Sequence, residues 1–283
     1  MPSLANHHSN SIVKLLLIGD AKSGKTGSLA SLVKAGYKLR ILDMDNLLDI
    51  LKFVCLRECP DKLDNVEFVT LRDKRKATSE GSVLDGPARA FVDAVKLLDR
   101  WKTKDADGNE IDLGQPATWG ADTILVIDSL SRLCDAAYDW RYSVNPKNDG
   151  RAIYGEAQDA VESLLAGLTS PTFATNLIVI AHVQYMEMPD GTKKGHPQGI
   201  GAKLSPKIPQ YFSSVAYCMN KSGKRTLRTT STPLIDLANP APFKMEPEYP
   251  AETGLATFFA VLRGQPNESE AQPKPVSKLP LRR

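Results

Sequence analysis

The chain has 283 residues, a formal net charge of +3 and 42% hydrophobic residues. This composition is ordinary for globular proteins and excludes a collagen-like, coiled-coil or wholly disordered chain. No apolar run approaches the roughly 20 residues that span a bilayer, and the N-terminus has no signal-peptide pattern, so we expect a cytoplasmic protein without a membrane partner. The cysteines are sparse, which favours buried free thiols over a disulfide framework or a metal site: Cys55, Cys59, Cys134 and Cys218.

Apolar runs alternate with helical patterns along the chain, which is typical of an α/β protein with a parallel sheet. Predicted strands cover 12–20, 38–45, 66–71, 123–129 and 177–183, and predicted helices cover 25–35, 46–59, 87–102, about 130–142 and 151–169. Two more strands, at about 213–219 and 225–230, flank a predicted antiparallel hairpin turn. We therefore predict one domain over 12–264, with a flexible N-terminus over 1–11 and a disordered tail over 265–283.

Residues 19–26, GDAKSGKT, match the pattern G-x-x-x-x-G-K-[ST] between an apolar strand and a helix. Its glycines let successive backbone N–H groups face phosphate oxygens at a helix start. Lys25 supplies a charge for the β- and γ-phosphates, and the Thr26 hydroxyl is a ligand for Mg²⁺. The alternative is an ordinary solvated turn. The motif predicts an ATP–Mg²⁺ site with these binding residues: Gly19, Asp20, Ala21, Lys22, Ser23, Gly24, Lys25, Thr26 and Gly27.

A second acid is expected at the end of a neighbouring strand. The segment TILVIDS places Asp128 after four consecutive apolar residues. This Walker B pattern predicts that Asp128 shares the Mg²⁺ ion with Thr26, because acids at the carboxyl ends of such strands face one crevice. The alternative is an aspartate that caps the following helix.

Hydrolysis also needs a group that orients or deprotonates water. Asp45, at the end of RILDMD, is the leading candidate, on the expectation that its strand lies beside the phosphate-binding strand. Asp43, two residues earlier on the same strand face, should lie deeper. The alternatives to Asp45 are Asp43, Asp49 and Asp122.

His182 stands where LIVIAHV leaves the sheet, and Gln184 follows two residues later. Both are placed to sense the γ-phosphate and to pass its state to the segment behind them. The alternative is a strand-end histidine that is bonded only to the backbone. The candidate catalytic set is Lys25, Asp45, Asp128 and His182.

Two basic segments are candidates for anionic partners. Residues 185–206 are rich in glycine and proline, which predicts a long functional loop. Its cations and its aromatic ring suit single-stranded DNA, although a solvated lysine pair is the alternative: Tyr185, Lys193, Lys194, His196 and Lys203. The second segment is the C-terminal hairpin, whose cations suit either an arginine finger acting on a neighbouring subunit's nucleotide or protection of a sheet edge: Lys221, Lys224, Arg225 and Arg228.

These motifs together resemble the RecA-type ATPases, in which ILDMDNLLD, LVIDSLSRL and LIVIAHVQ have counterparts in the same order after GDAKSGKT. Four phrases are similar to phage-encoded RecA-like ATP-binding proteins, some of which are single-strand annealing recombinases: GKTGSLASLVKAGYKLRILDMDN, TWGADTILVIDSLSRL, PKIPQYFSSV and STPLIDLANPAPF. The resemblance covers roughly residues 12–263.

The resemblance implies a RecA-like P-loop NTPase core that binds ATP and Mg²⁺, contacts single-stranded DNA through 185–206 and assembles as a homo-oligomeric ring or filament. It also implies the host cell cytoplasm as the location and a single-strand-binding protein as a candidate partner. Asp45 stands where RecA has its catalytic glutamate and His182 where RecA has its sensor glutamine, which weighs against fast, DNA-coupled hydrolysis. We expect a phage recombination ATPase that anneals or pairs single strands. The alternatives are a replication helicase or loader motor, and a nucleotide-gated assembly module with little turnover.

Overall fold

The computed structural model describes residues 12–264 except 80, 106 and 148, so the segments 1–11 and 265–283 lie outside the described residues. The strands are β1 (Lys14–Gly19), β2 (Lys38–Asp43), β3 (Val66–Thr70), β4 (Arg75–Thr78), β5 (Gly81–Leu84), β6 (Lys102–Lys104), β7 (Glu110–Asp112), β8 (Gly120–Asp128), β9 (Thr175–Glu187), β10 (Lys193–Pro197), β11 (Ser214–Lys221), β12 (Lys224–Arg228) and β13 (Glu248–Pro250). The helices are α1 (Lys25–Ser28), α2 (Ala30–Lys34), α3 (Asp49–Glu58), α4 (Ala90–Asp99), α5 (Leu130–Val144), α6 (Gly150–Thr169), α7 (Gly201–Leu204) and α8 (Ala251–Leu262), with 3₁₀ turns at Pro60–Asn65, Pro116–Thr118 and Ile208–Tyr211.

A mixed sheet in the order β13-β12-β11-β1-β9-β8-β2-β3 forms the core, and β10 pairs with β9. Within this order, the six strands β11, β1, β9, β8, β2 and β3 are parallel to one another. Strands β10, β12 and β13 pair antiparallel to their neighbours. One apolar layer packs α2, α3 and α8 on one face of the sheet, and a second layer packs α4, α5 and α6 on the other. The predicted fold class is therefore confirmed: a mostly parallel α/β sheet flanked by helices, with an antiparallel hairpin toward the C-terminus.

The central strands are continuous apolar runs because helices cover both of their faces. In β1, Leu15, Leu16 and Leu17 have no exposed surface. All four cysteines are buried free thiols within this core. None of the helices in the described part of the chain is both long enough and apolar enough to cross a bilayer.

The predicted long loop over 185–206 is wrong. Strand β9 continues to Glu187, and the chain turns back into β10, so a β-hairpin projects beyond the sheet. The turn is closed by the Gly191 N–H, which donates to the Met188 carbonyl, and Gly191 has a φ of +77°. Asp190–Gly191 is a common hairpin signal, and it is the sequence feature that could have predicted this turn.

The strand order also corrects one expectation about the site. Strand β1 lies between β9 and β11, so β2, which carries the chain to Asp45, is not its neighbour. Instead β2 pairs with β8, and Asp43 lies opposite Asp128. Gly19 lies opposite His182 in the β1–β9 pair, so the carboxyl ends of β1, β9, β8 and β2 meet along one edge.

Candidate nucleotide-binding site

The phosphate loop is a tight turn between β1 and α1, and its shape depends on two glycines. Gly24 has a φ of +99°, in the left-handed region that favours glycine. A Cβ atom at Gly19 would lie 2.5 Å from Ser23 Oγ and 2.7 Å from the carbonyl oxygen of Cys218. Any larger residue at either glycine would therefore force the loop to move.

Lys25 folds back into this loop. Its side chain is buried, and Nζ donates hydrogen bonds of 2.8 Å to the carbonyl oxygens of Gly19 and Asp20. Burial lowers the pKa of Lys25, while neighbouring groups such as Cys218 and Asp128 act in the opposite direction. The ammonium group thus lies at the base of the loop, close to the carboxylates of Asp128, at the end of β8, and Asp45, just beyond β2.

Thr26 and Asp128 meet directly, although 102 residues separate them in the sequence. Thr26 Oγ1 donates a 2.7 Å hydrogen bond to Oδ2 of Asp128, which is the last residue of β8 and is buried. The pKa of Asp128 is raised to about 6, chiefly by burial and also by the charges of Asp45 and Asp43, while the Thr26 hydrogen bond and Lys25 act in the opposite direction. A carboxylate that is so costly to ionise gains a large stabilisation from a nearby cation.

The capping role considered for Asp128 belongs to its neighbour. Ser129 is the N-cap of α5, and its Oγ accepts a hydrogen bond from the Arg132 N–H at 3.4 Å. The Asp128 carboxylate is therefore free of capping and faces the phosphate loop.

The donor set fits Mg²⁺, which prefers hydroxyl and carboxylate oxygens and completes its shell with phosphates and water. In the part of the chain that the structure describes, no group of three or more His, Cys, Asp or Glu side chains could hold a metal alone. Ser23 Oγ in the loop is buried and has no hydrogen-bond partner among the described residues. Thr26 and Asp128 are the side chains that would hold the ion, which would neutralise phosphate charge.

Asp45 lies just beyond β2 at the centre of a polar cluster. Its Oδ2 is 3.7 Å from His182 Nε2, and its Oδ1 is 3.2 Å from Ser129 Oγ and 3.6 Å from Arg132 Nε. Burial alone would raise the pKa of Asp45, but His182, Ser129 and Arg132 outweigh it and hold the pKa below its usual range. Asp45 is therefore ionised at neutral pH.

The three alternatives to Asp45 occupy different positions. Asp43 is buried, as expected, and its carboxylate accepts hydrogen bonds from the Asn46 N–H at 2.7 Å and from Thr70 Oγ1 at 2.9 Å. Asp49 begins α3 and lines the cavity beside the loop. Asp122 lies near the opposite end of β8, where its side chain is 93% exposed.

His182 connects the cluster to the β9–β10 hairpin. Its backbone N–H donates to Ser131 Oγ at 3.1 Å, and its carbonyl accepts from the Gln198 N–H at 2.7 Å. Ser131 Oγ in turn donates to the Gln198 carbonyl at 3.2 Å. The backbone of His182 is thus tied to α5 and to the end of the hairpin, while its imidazole faces Asp45. Gln184 lies within the hairpin, opposite His196.

A cavity of about 690 Å³ opens over the loop, between α1–α2 on one side and α3 on the other. Arg225 of β12 lines it from the same chain, with Cδ 2.6 Å from the position of a Cβ atom at Gly24. Arg228 faces Glu248 at 3.8 Å. The structure therefore brings Arg225, but not Arg228, to the phosphate loop of its own chain, and the finger from Lys224, Arg225 or Arg228 to a neighbouring subunit stays a prediction.

The predicted DNA-contacting residues fall into two groups. Four lie on the β9–β10 hairpin: Tyr185, Lys193, Lys194 and His196. Lys203 lies separately in α7. Tyr185 and Lys193 are exposed, whereas Lys194 Nζ bonds Asp236 at 3.0 Å, and burial lowers the pKa of His196. The contact with Asp236, 42 residues away, could not be read from the sequence.

Replacing Asp128 with asparagine should stabilise the nucleotide-free protein at neutral pH. The pKa of the carboxyl is about 6 in the native state and about 3.8 in an unfolded chain, so the native state binds more protons than the unfolded state between about pH 4 and pH 6. Wild-type stability should therefore fall as pH rises through that window, and the variant should lose this dependence. Urea unfolding of both proteins at several pH values between 4 and 6 measures the free energy of unfolding. If that free energy changed with pH equally in both proteins, burial of Asp128 would not raise the cost of ionising it.

One family model matches most of the chain. The model of the family described as AAA domain matches residues 11–239, a region that contains the phosphate loop, Asp45, Asp128 and His182. No curated protein matches the sequence.

Three solved structures are similar to the chain. The RadB recombinase is 14% identical with a TM-score of 0.41, over 77% of this chain and 80% of that one. A prototypical ATPase from the type III secretion system of pathogenic bacteria is 12% identical with a TM-score of 0.43, over 74% and 53%. The ATP synthase subunit NeqB from Nanoarcheaum equitans is 11% identical with a TM-score of 0.38, over 73% and 45%.

Proposed function

The chain belongs to the AAA domain family, and from that premise we propose that it binds ATP with Mg²⁺ in the cavity over the phosphate loop and hydrolyses the γ-phosphate. The observation that carries the proposal is the 2.7 Å hydrogen bond between Thr26 Oγ1 and Asp128 Oδ2, beside the buried ammonium of Lys25. Such a site suits a triphosphate and its cation, because a hydroxyl, a carboxylate and a lysine converge on a loop of backbone N–H groups.

Each side chain has a proposed role. The loop N–H groups and Lys25 bind the phosphates, and Thr26 and Asp128 hold the Mg²⁺ ion, which supplies charge neutralisation when it is bound. Asp45 orients the attacking water and accepts its proton. Because the pKa of Asp45 lies below its usual range, its carboxylate is a weak base, and slow hydrolysis is the expected consequence.

We also propose that Arg225 acts in cis, by placing its charge near the phosphates bound by its own chain. Its contact with Gly24 supports this role. A mixture of Lys25→Ala chains with Arg225→Ala chains tests it, because a finger acting between subunits would restore activity at some mixed interfaces, whereas an arginine acting in cis would not.

The finer part of the proposal is that nucleotide state controls the binding of single-stranded DNA by the β9–β10 hairpin, and that the protein anneals or pairs strands during phage recombination. The support is the link from the Asp45–His182 pair through Ser131 to Gln198, just beyond β10. Tyr185 offers an exposed ring for stacking, and Lys193 an exposed cation for phosphate.

Lys193 and Lys194 provide a matched pair for testing this surface. Replacing Lys193 with alanine should weaken DNA binding and reduce the slope of log affinity against log salt by about one. The same change at Lys194 should have a smaller effect, because Asp236 already neutralises that ammonium group. Fluorescence anisotropy with a labelled oligonucleotide at several salt concentrations measures both slopes. Unchanged slopes in both variants would exclude the hairpin as the contact surface.

ATP turnover measured with and without single-stranded DNA separates the two parts of the proposal. Mg²⁺-dependent phosphate release supports the ATPase, and stimulation by DNA supports the coupling. If the protein hydrolysed ATP but did not bind single-stranded DNA at low salt, the proposed DNA-binding function would be wrong and the proposed ATPase activity would stand. Strand displacement on a forked duplex would indicate a helicase-type motor, and ATP-dependent assembly without turnover would indicate a nucleotide-gated module.

A further inference from the structure

Asp20 is the only acidic residue in the phosphate loop, and its two polar groups have different partners. Its carbonyl oxygen lies inside the loop, where it accepts hydrogen bonds from Lys25 Nζ at 2.8 Å and from the Ser23 N–H at 3.2 Å. Its carboxylate oxygen Oδ2 accepts a 2.8 Å hydrogen bond from the hydroxyl of Tyr217. Because the loop would bind an anion, a carboxylate within it opposes binding unless it is held apart from the phosphates.

Tyr217 holds this carboxylate on the face of the sheet that lies away from the nucleotide cavity. On β11, Tyr217 belongs to the apolar layer that packs α4, α5 and α6, whereas the next residue, Cys218, belongs to the layer that packs α2, α3 and α8. The cavity opens between α1–α2 and α3, on the Cys218 side of β11. The hydrogen bond from Tyr217 therefore turns the charge of Asp20 away from the space that a triphosphate would occupy.

Tyr217 also contacts the β9–β10 hairpin. Tyr217 is buried, and its hydroxyl forms a hydrogen bond with the side chain of Tyr185, an exposed residue of β9. The pKa of Tyr217 is raised, chiefly by burial and also by Tyr185 and Asp20, so the phenol is protonated at neutral pH. A phenol has one proton to donate. Since Tyr217 donates to Asp20, it accepts from Tyr185, and the three side chains connect the hairpin to the phosphate loop.

We propose that Tyr217 is a positioning residue for nucleotide binding: its hydroxyl holds the Asp20 carboxylate apart from the phosphates, and Tyr185 supports it from the hairpin. The inference rests on the proposed nucleotide site and adds to it a residue that lies outside the phosphate-loop motif. The contact also helps to fix the Asp20 peptide, whose carbonyl holds the ammonium group of Lys25. It gives the hairpin a connection to the loop that does not pass through His182.

Tyr217→Phe removes the hydroxyl and keeps the buried ring. The freed carboxylate of Asp20 can then turn toward the phosphates, so affinity for a non-hydrolysable ATP analogue with Mg²⁺ should fall by about threefold to tenfold. KM for ATP should rise by a similar factor while kcat stays within about twofold of the wild type, because the hydroxyl does not contact the reacting atoms. Tyr211→Phe is the matched control: its hydroxyl donates to Glu162 of α6 at 3.5 Å, and its removal should change neither quantity.

Adding Asp20→Asn to Tyr217→Phe separates an effect of charge from a loss of packing. The amide has no charge to repel the phosphates, so the double variant should recover most of the affinity that Tyr217→Phe loses. Damage to the fold around Tyr217 would instead persist in the double variant. Equal weakening in the single and double variants would overturn the proposal, and so would a Tyr217→Phe variant that binds the analogue like the wild type.

Tyr185→Phe tests the hairpin end of the connection without changing a buried residue. It should weaken binding of the analogue less than Tyr217→Phe does, and it should cause no further loss when it is added to Tyr217→Phe. Losses that multiply in the combined variant would overturn the support from Tyr185. Calorimetric titration measures each affinity, and thermal unfolding shows whether each variant is folded. A wild type that does not bind the analogue would refute the proposed nucleotide site itself, which is a different result from equal binding by the wild type and Tyr217→Phe.

Discussion

Replacing Lys25 with alanine is expected to lower the rate of ATP hydrolysis by about 10²- to 10³-fold. The ammonium group is buried in the loop and is fixed by the carbonyls of Gly19 and Asp20, so it is already placed where phosphate charge develops. The other described cations at the cavity are more exposed, and Arg225 lies over Gly24 rather than beneath the loop. Phosphate release at saturating Mg²⁺–ATP measures the effect.

Lys38→Ala is the matched control for this variant. Lys38 is exposed at the start of β2, at the opposite end of the sheet from the phosphate loop. Its removal should leave turnover unchanged, and thermal unfolding of both variants shows whether they are folded. If Lys25→Ala retained turnover within about twofold of the wild type, phosphate binding by this loop would be refuted.

Replacing Asp45 with asparagine should reduce kcat by about 10²- to 10⁴-fold and leave ATP binding largely intact. The amide keeps the shape of the side chain but cannot accept a proton from water. It also removes the charge that faces His182 Nε2 at 3.7 Å and Arg132 Nε at 3.6 Å. Single-turnover phosphate release and equilibrium binding of a non-hydrolysable ATP analogue separate the chemical step from affinity.

Two further variants show whether Asp45 acts through chemistry. Asp122→Asn changes an exposed carboxylate near the opposite end of β8 and should behave like the wild type. If Asp45 and His182 work as one unit, a variant with both residues replaced should hydrolyse ATP little more slowly than Asp45→Asn alone. Normal turnover in Asp45→Asn, or loss of ATP binding together with turnover, would remove Asp45 from the chemical step.

The phosphate loop was predictable because its requirements are local. The strand before it, the glycines within it and the helix after it all lie within about one βα unit, and each is a residue type that phosphate binding demands. Asp128 was assigned on similar grounds, since an acid after an apolar strand reaches the carboxyl edge of the sheet in any parallel arrangement.

Asp45 shows where this reasoning stops. The residue was selected by assuming that β2 lies beside β1, but two strands, β9 and β8, lie between them. Asp45 enters the cluster because the chain beyond β2 crosses the edge of β8, where the Met44 N–H donates to the Asp128 carbonyl at 2.6 Å. Strand order is set by long-range packing, which a local pattern does not contain.

The remaining differences also come from contacts between distant segments. The β9–β10 hairpin replaces a predicted loop, and pairing with Asp236 changes the charge that Lys194 presents. The position of Arg225 over Gly24 depends on how β11 and β12 pack against β1. Helix α8 was not predicted from the sequence. It is largely apolar, with both of its phenylalanines buried, so its sequence shows little of the amphipathic period that is typical of a surface helix.

The most direct test of the central claim is a calorimetric titration of a non-hydrolysable ATP analogue with and without Mg²⁺, in the wild type and in Thr26→Val. The account predicts saturable binding by the wild type that Mg²⁺ strengthens, and loss of that strengthening when the hydroxyl beside Asp128 is removed. Binding that is absent in the wild type, or equally strengthened by Mg²⁺ in both proteins, would contradict it.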